Sequence, residues 1–126
     1  MRLVVDADVL IDVFRDVTPA IDLMATARRH GDEIMSVTPV RTEVLRGASA
    51  GSQPAVEAFL SNIGWLDVDV DLADRAGDIG RQFVRSHQGI SVTDLLLAAA
   101  VDRVGGQLLT RNVRHFPMFP ELRPAY

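Results

Sequence analysis

The segment LVVDADVLIDVF, residues 3–14, sets Asp6, Asp8 and Asp12 directly behind an apolar run. Like charges at such spacing repel one another. Two further acids fall inside patterned segments, Glu43 in SVTPVRTEVLRG and Asp94 in ISVTDLLLAAA, and Asn112 follows LLTR. Taken singly, each has a structural reading: Asp6 as a turn residue, Asp8 as a helix N-cap, Glu43 as a solvated helix residue, Asp94 as the N3 partner of Ser91 in a capping box. Taken together these readings weaken, because Asp6 lies where a buried strand ends and Asp94 opens the most apolar helix of the chain. Carboxylates gathered in one crevice raise each other's pKa unless a cation keeps them ionised. Hard oxygen donors without cysteine or histidine suit Mg2+ or Mn2+. Two such ions would add about +4 to a net charge of −4 and draw phosphate into the cleft.

The elements that must position these residues follow from periodicity. Leu3–Val5 reads as a buried strand, with a helix from Val9 to about Arg15 capped by Asp8. Thr18 and Pro19 open a second helix that ends near Gly31. Glu33–Val37 alternates as a strand, and Thr38 and Pro39 start a helix closed by Gly47. A small-residue loop, residues 47–54, precedes a helix that runs to Gly64, and Trp65–Val70 alternates as a third strand. An amphipathic helix spans Leu72 to about His87, the Ser91 and Asp94 box opens another that ends at Gly105 and Gly106, and Gln107–Thr110 is a fourth strand. The proline-pinned tail FPMFPELRP reads as extended and docked, with Phe116, Met118 and Phe119 packing on the sheet edge. Strands alternating with helices imply an α/β fold, a doubly wound, mostly parallel sheet of four or five strands flanked by helices, in one domain over residues 1–126. Ligands in such sheets collect beyond the carboxyl ends of the strands.

Composition narrows the chemistry. An apolar fraction of 48% supports a folded core, and the absence of cysteine removes thiolate chemistry and fits a reducing cytoplasm. The longest apolar run, Leu95–Val101, is too short to span a bilayer, so no membrane association is expected. His30, His87 and His115 lack the spacing of a zinc site, which argues against a catalytic histidine. His87 reads as a helix C-terminal residue. GASAG, residues 47–51, fits the letters of a hydrolase nucleophile elbow around Ser49, yet it follows a helix rather than a strand.

The segments VVDADVLID, SVTPVRTEVLRG, ISVTDLLLAAA and LLTRNVRHFPMFPEL, in this order over nearly the whole chain, resemble those of PIN-domain ribonucleases of the VapC toxin type. The resemblance implies that Asp6, Glu43 and Asp94 hold the metal ion, with Asn112 at a fourth position that is often aspartate in the family. An amide there brings no charge, so Asp8 either caps its helix or supplies the missing charge. The implied reaction is metal-dependent hydrolysis of RNA inside the strand, leaving a 5′-phosphate and a 3′-hydroxyl. Thr110 is then expected at the metal water or the scissile phosphate, and Arg111 or Arg114 at a flanking phosphate. A cognate antitoxin and a homodimer are the implied protein partners. Two alternatives remain: a non-catalytic PIN-like module that binds RNA or protein, with Asn112 marking a decayed site, and a D-x-D phosphatase using Asp6 and Asp8, which the lack of any lysine disfavours.

Overall fold

The computed structural model describes residues 1–49 and 51–126. Its elements run β1 (Arg2–Val5), α1 (Ala7–Phe14), α2 (Thr18–Arg29), β2 (Glu33–Val37), α3 (Thr38–Gly47), α4 (Gln53–Leu60), β3 (Gly64–Leu66), α5 (Val70–Phe83), α6 (Val92–Val104) and β4 (Gln107–Leu109), with a 3-10 turn at Val113–His115. The β-branched residues of β1 and β2 are buried, as central parallel strands require. All pairings are parallel and the strand order is β3-β2-β1-β4, so the expected α/β sheet has four strands and not five. The chain steps outward from β1 to β3 and then returns past both to lay β4 against the free side of β1. Between β1 and β4 lies the topological switch point, where a crevice opens beyond the carboxyl ends of the strands.

Helix α6 packs across β1, β2 and β4. Its Leu97, Ala98, Ala99 and Ala100 are fully buried, which accounts for an apolar pattern on most sides. The chain then needs two glycines. Gly105 ends α6 in the left-handed conformation at φ 65°, and at Gly106 a Cβ would stand 2.6 Å from the Arg2 carbonyl oxygen. That close approach brings β4 beside β1 and sets how far along the crevice Thr110 reaches. No helix among the described residues is long and apolar enough to cross a membrane.

Several boundaries differ from the sequence pattern. Asp6 and not Asp8 is the N-cap of α1, because the helix starts as soon as β1 ends. Thr18 lies inside α2, with Val17 at its N-cap. β3 stops at Leu66, because Asp69 already caps α5 through its bond to the Leu72 N–H at 2.8 Å. α5 ends at Phe83, and His87 lies beyond it, edge-on to the Phe83 ring. β4 ends at Leu109, which leaves Thr110 in the following loop. The loop expected over residues 47–54 includes Ala50, which lies outside the described residues. Phe116 is buried in the core while Met118 and Phe119 pack at its margin, as the tail pattern implies.

The Gly106 contact is testable. Gly106→Ala should lower the unfolding free energy by about 2 kcal/mol, the usual cost of forcing an extra carbon into packed structure. Urea denaturation checks this.

Candidate active site

Asp6 follows the last residue of β1, and its backbone N–H bonds the Leu109 carbonyl at 2.9 Å, so the strand ladder itself delivers the carboxylate to the crevice. Its Oδ1 accepts the Ala7 N–H at 2.7 Å, and its Oδ2 accepts the Thr110 hydroxyl at 2.8 Å. Burial, and then the charge of Asp8, raise its pKa from 3.8 to about 6 against the lowering effect of those bonds; Asp94 adds to the rise. Asp6 and Asp94, from opposite ends of the chain, therefore share one electrostatic site.

Asp94 is as buried as Asp6, at 7% exposure, and the reciprocal capping box with Ser91 holds it. Its Oδ2 accepts the Ser91 N–H at 3.0 Å and stands 3.2 Å from His115 Nδ1. The spacing of the histidines gave no sign of this pair, because the chain folds His115 onto Asp94 from a separate segment. Asp8 faces the same crevice: Asp8 Oδ2 accepts the Arg111 N–H at 2.9 Å and lies 3.5 Å from the Thr110 hydroxyl. Burial raises the Asp8 pKa as well. Asp8 is therefore a first-turn residue of α1 whose Oδ1 accepts the Val9 N–H at 2.8 Å and whose other oxygen is bonded to the loop after β4.

Thr110 is fully buried; its hydroxyl donates to Asp6 and accepts the Asn112 N–H at 3.1 Å. Its side chain reaches the crevice through this bond to Asp6. Asn112 is exposed at the crevice rim. Arg111 donates to Asp12 at 2.9 Å, whereas Arg114 is exposed and forms no ion pair among the described residues. Glu43 is half-buried on α3 and has no hydrogen bond or salt bridge among the described residues. Asp12 and Tyr126, to which the sequence reading gave no role, meet at 2.6 Å. Asp12 was within reach of such a reading, since it follows Asp8 by one helical turn. Ser49 of GASAG is exposed and follows α3 and not a strand, and its hydroxyl pairs with that of Ser52 at 2.9 Å.

The donor set fits a divalent cation. Asp6, Asp8 and Asp94 supply hard oxygens, and the pKa values of Asp6 and Asp8 are raised first by burial and then by neighbouring carboxylates. Among the described residues, no three histidine or acidic side chains converge closely enough to hold a metal ion as they stand. Asp6 is bonded to Thr110, and Asp94 to Ser91 and His115.

Fold and site together define an open parallel α/β protein with a buried acidic crevice at its switch point. The chain belongs to the PIN domain family, whose model matches residues 3–120. It is 40% identical over 126 residues to the ribonuclease VapC19 of Mycobacterium tuberculosis strain H37Rv, covering 100% of both chains. It is 37% identical over 124 residues to the ribonuclease VapC10 of the same strain, covering 98% of this chain and 92% of that one. Among solved structures, VapBC2 of Rickettsia felis bound to a promoter DNA fragment superposes with a TM-score of 0.79 at 17% identity, over 97% of this chain and 96% of that chain. A toxin-antitoxin complex from Klebsiella pneumoniae gives a TM-score of 0.78 at 20% identity, over 98% of each chain.

Burial of Asp6 has a consequence for pH. Its folded value of about 6 exceeds the ordinary 3.8, so folding favours the protonated form. The associated stability is present in full below about pH 4 and is lost as pH rises through 6, a change of about 3 kcal/mol. In EDTA, Asp6→Asn should therefore gain stability relative to the parent protein between pH 4 and 7.5, as followed by urea denaturation at each pH.

Proposed function

We propose that this protein is a metal-dependent endoribonuclease, the toxin of a toxin-antitoxin pair, and that its 126 residues act as one catalytic domain in the cytoplasm. The observation that carries this reading is the buried pair Asp6 and Asp94 at the switch point, where burial, then the charge of Asp8 and last that of Asp94 raise the Asp6 pKa. Full-length identity to proteins described as ribonucleases supports the same reading.

In this reading Asp6 and Asp94 hold Mg2+ or Mn2+, with Glu43 and Asn112 as further oxygen donors and Asp8 supplying the charge that Asn112 lacks. When bound, such an ion supplies the Lewis acidity that activates water for in-line attack on phosphorus and neutralises charge developing on the phosphate. The protein's own groups do the rest. Thr110 fixes the Asp6 carboxylate through its hydroxyl. Ser91 and His115 fix Asp94. Arg114, exposed on the 3-10 turn after β4, holds a flanking phosphate of the RNA in a bidentate contact in this reading. Cleavage leaves a 5′-phosphate and a 3′-hydroxyl.

A cognate antitoxin and a second copy of the chain are the protein partners of this reading. The superposed structures from R. felis and K. pneumoniae, both toxin-antitoxin assemblies, support the first.

The test is RNA cleavage with and without Mg2+. Asp6→Asn and Asp94→Asn should each reduce cleavage to background while the protein stays folded, and Arg114→Ala should raise KM several-fold with kcat retained. Unchanged Mg2+-dependent cleavage by the Asp6→Asn, Asp94→Asn double variant would refute the reading. An inactive parent protein that still binds RNA would favour a non-catalytic module.

A further inference from the structure

Helix α1 presents Asp8 and Asp12 one turn apart, so both side chains leave it on the same face. The face grips one residue twice. Asp8 accepts the backbone N–H of Arg111 at 2.9 Å, and Asp12 accepts its guanidinium, also at 2.9 Å. The tail closes the arrangement from the other side. The Tyr126 hydroxyl donates to the same Oδ2 of Asp12 at 2.6 Å, and its ring lies under the Arg111 guanidinium, 5.5 Å from ring centre to carbon. Next to it, the Ala125 N–H donates to the Thr110 carbonyl at 2.8 Å.

Residues 110–112 are thereby held between α1 and the tail. This short loop carries the Thr110 hydroxyl that fixes Asp6, and its Asn112 N–H returns to Thr110 Oγ1. Asp12 is 7% exposed and has no part in the mechanism above. A buried carboxylate with two strong donors costs several kcal/mol to leave unpaired, so the three groups hold or fail as a unit. Burial, with the Asp12 carboxylate, pushes the Tyr126 phenol above its ordinary range, which keeps it a hydrogen-bond donor at working pH. Arg111, although exposed, directs its guanidinium at Asp12 and stacks on the tyrosine, where two of its interactions are already made.

We infer that Asp12, Arg111 and Tyr126 form a clasp that sets the loop of residues 110–112 against Asp6, and that Arg111 is a positioning residue and not the phosphate contact. The catalytic consequence rests on the nuclease reading; the clasp itself does not.

Two measurements separate them. In metal-free protein, Tyr126→Phe keeps the ring and removes one hydrogen bond, and should speed hydrogen exchange of the Arg111 and Asn112 amides by about tenfold relative to amides of α6. In RNA cleavage, Tyr126→Phe and Arg111→Lys should each lower kcat by about tenfold with KM unchanged, since lysine cannot reproduce the planar contact with Asp12 and Tyr126. Unchanged exchange in Tyr126→Phe would overturn the clasp whether or not the protein cleaves RNA. A raised, salt-sensitive KM in Arg111→Ala that Arg111→Lys restores would overturn the positioning role and return Arg111 to the phosphate. Should the parent protein prove inactive, faster exchange in Tyr126→Phe would still uphold the clasp while the nuclease reading failed.

Discussion

The constraint on which the rest depends is the concentration of negative charge at a place that water reaches poorly. Asp6 and Asp94 are each only 7% exposed, and with Asp8 they place three carboxylates around one crevice. Such a cluster opposes folding unless it is neutralised or bonded, and the surrounding structure does the bonding. Both oxygens of Asp6 accept hydrogen bonds, and Asp94 is shared between Ser91 and His115. The polar loop after β4 exists to serve these groups, and its length and path follow from them.

Helix placement eases the same problem. Asp6 is the N-cap of α1 and Asp94 is the third residue of α6, so both acids sit where unpaired backbone N–H groups and the helix dipole favour negative charge. A residue that reads as an ordinary cap and a residue that reads as a site are here the same residue. The two interpretations of Asp94 open at the level of sequence are therefore not in competition: the capping box holds the carboxylate where its charge still reaches Asp6.

Much of this was legible in the sequence because the signals are local. β-branched runs, prolines at helix starts and the Ser91 and Asp94 spacing gave the alternation of strands and helices, and the strand ends located the crevice through the general behaviour of parallel sheets. What escaped is non-local. His115 meets Asp94, and Tyr126 meets Asp12, across separations that no spacing rule covers. The cap falls at Asp6 and not at Asp8 because α1 begins after a single connecting residue, which the sequence does not disclose. The expectation that Glu43 joins Asp6 and Asp94 came from resemblance and not from any local pattern, since Glu43 lies on a separate helix, α3, far from both in the chain. Thr110 and Arg111 lie beside the acids as the sequence implies, but the bonds of Thr110 to Asp6 and of Arg111 to Asp12 join segments about a hundred residues apart, which no local pattern discloses.

The central claim is that the acidic crevice is completed by a divalent cation. Calorimetric titration of Mn2+ into the metal-free protein at pH 6, in buffers of different ionisation enthalpy, tests it most directly. At that pH Asp6 is about half protonated, so binding should release a fraction of a proton, and the release should vanish in Asp6→Asn and at pH 8. Binding without proton release, or no binding at millimolar Mn2+, would contradict the account.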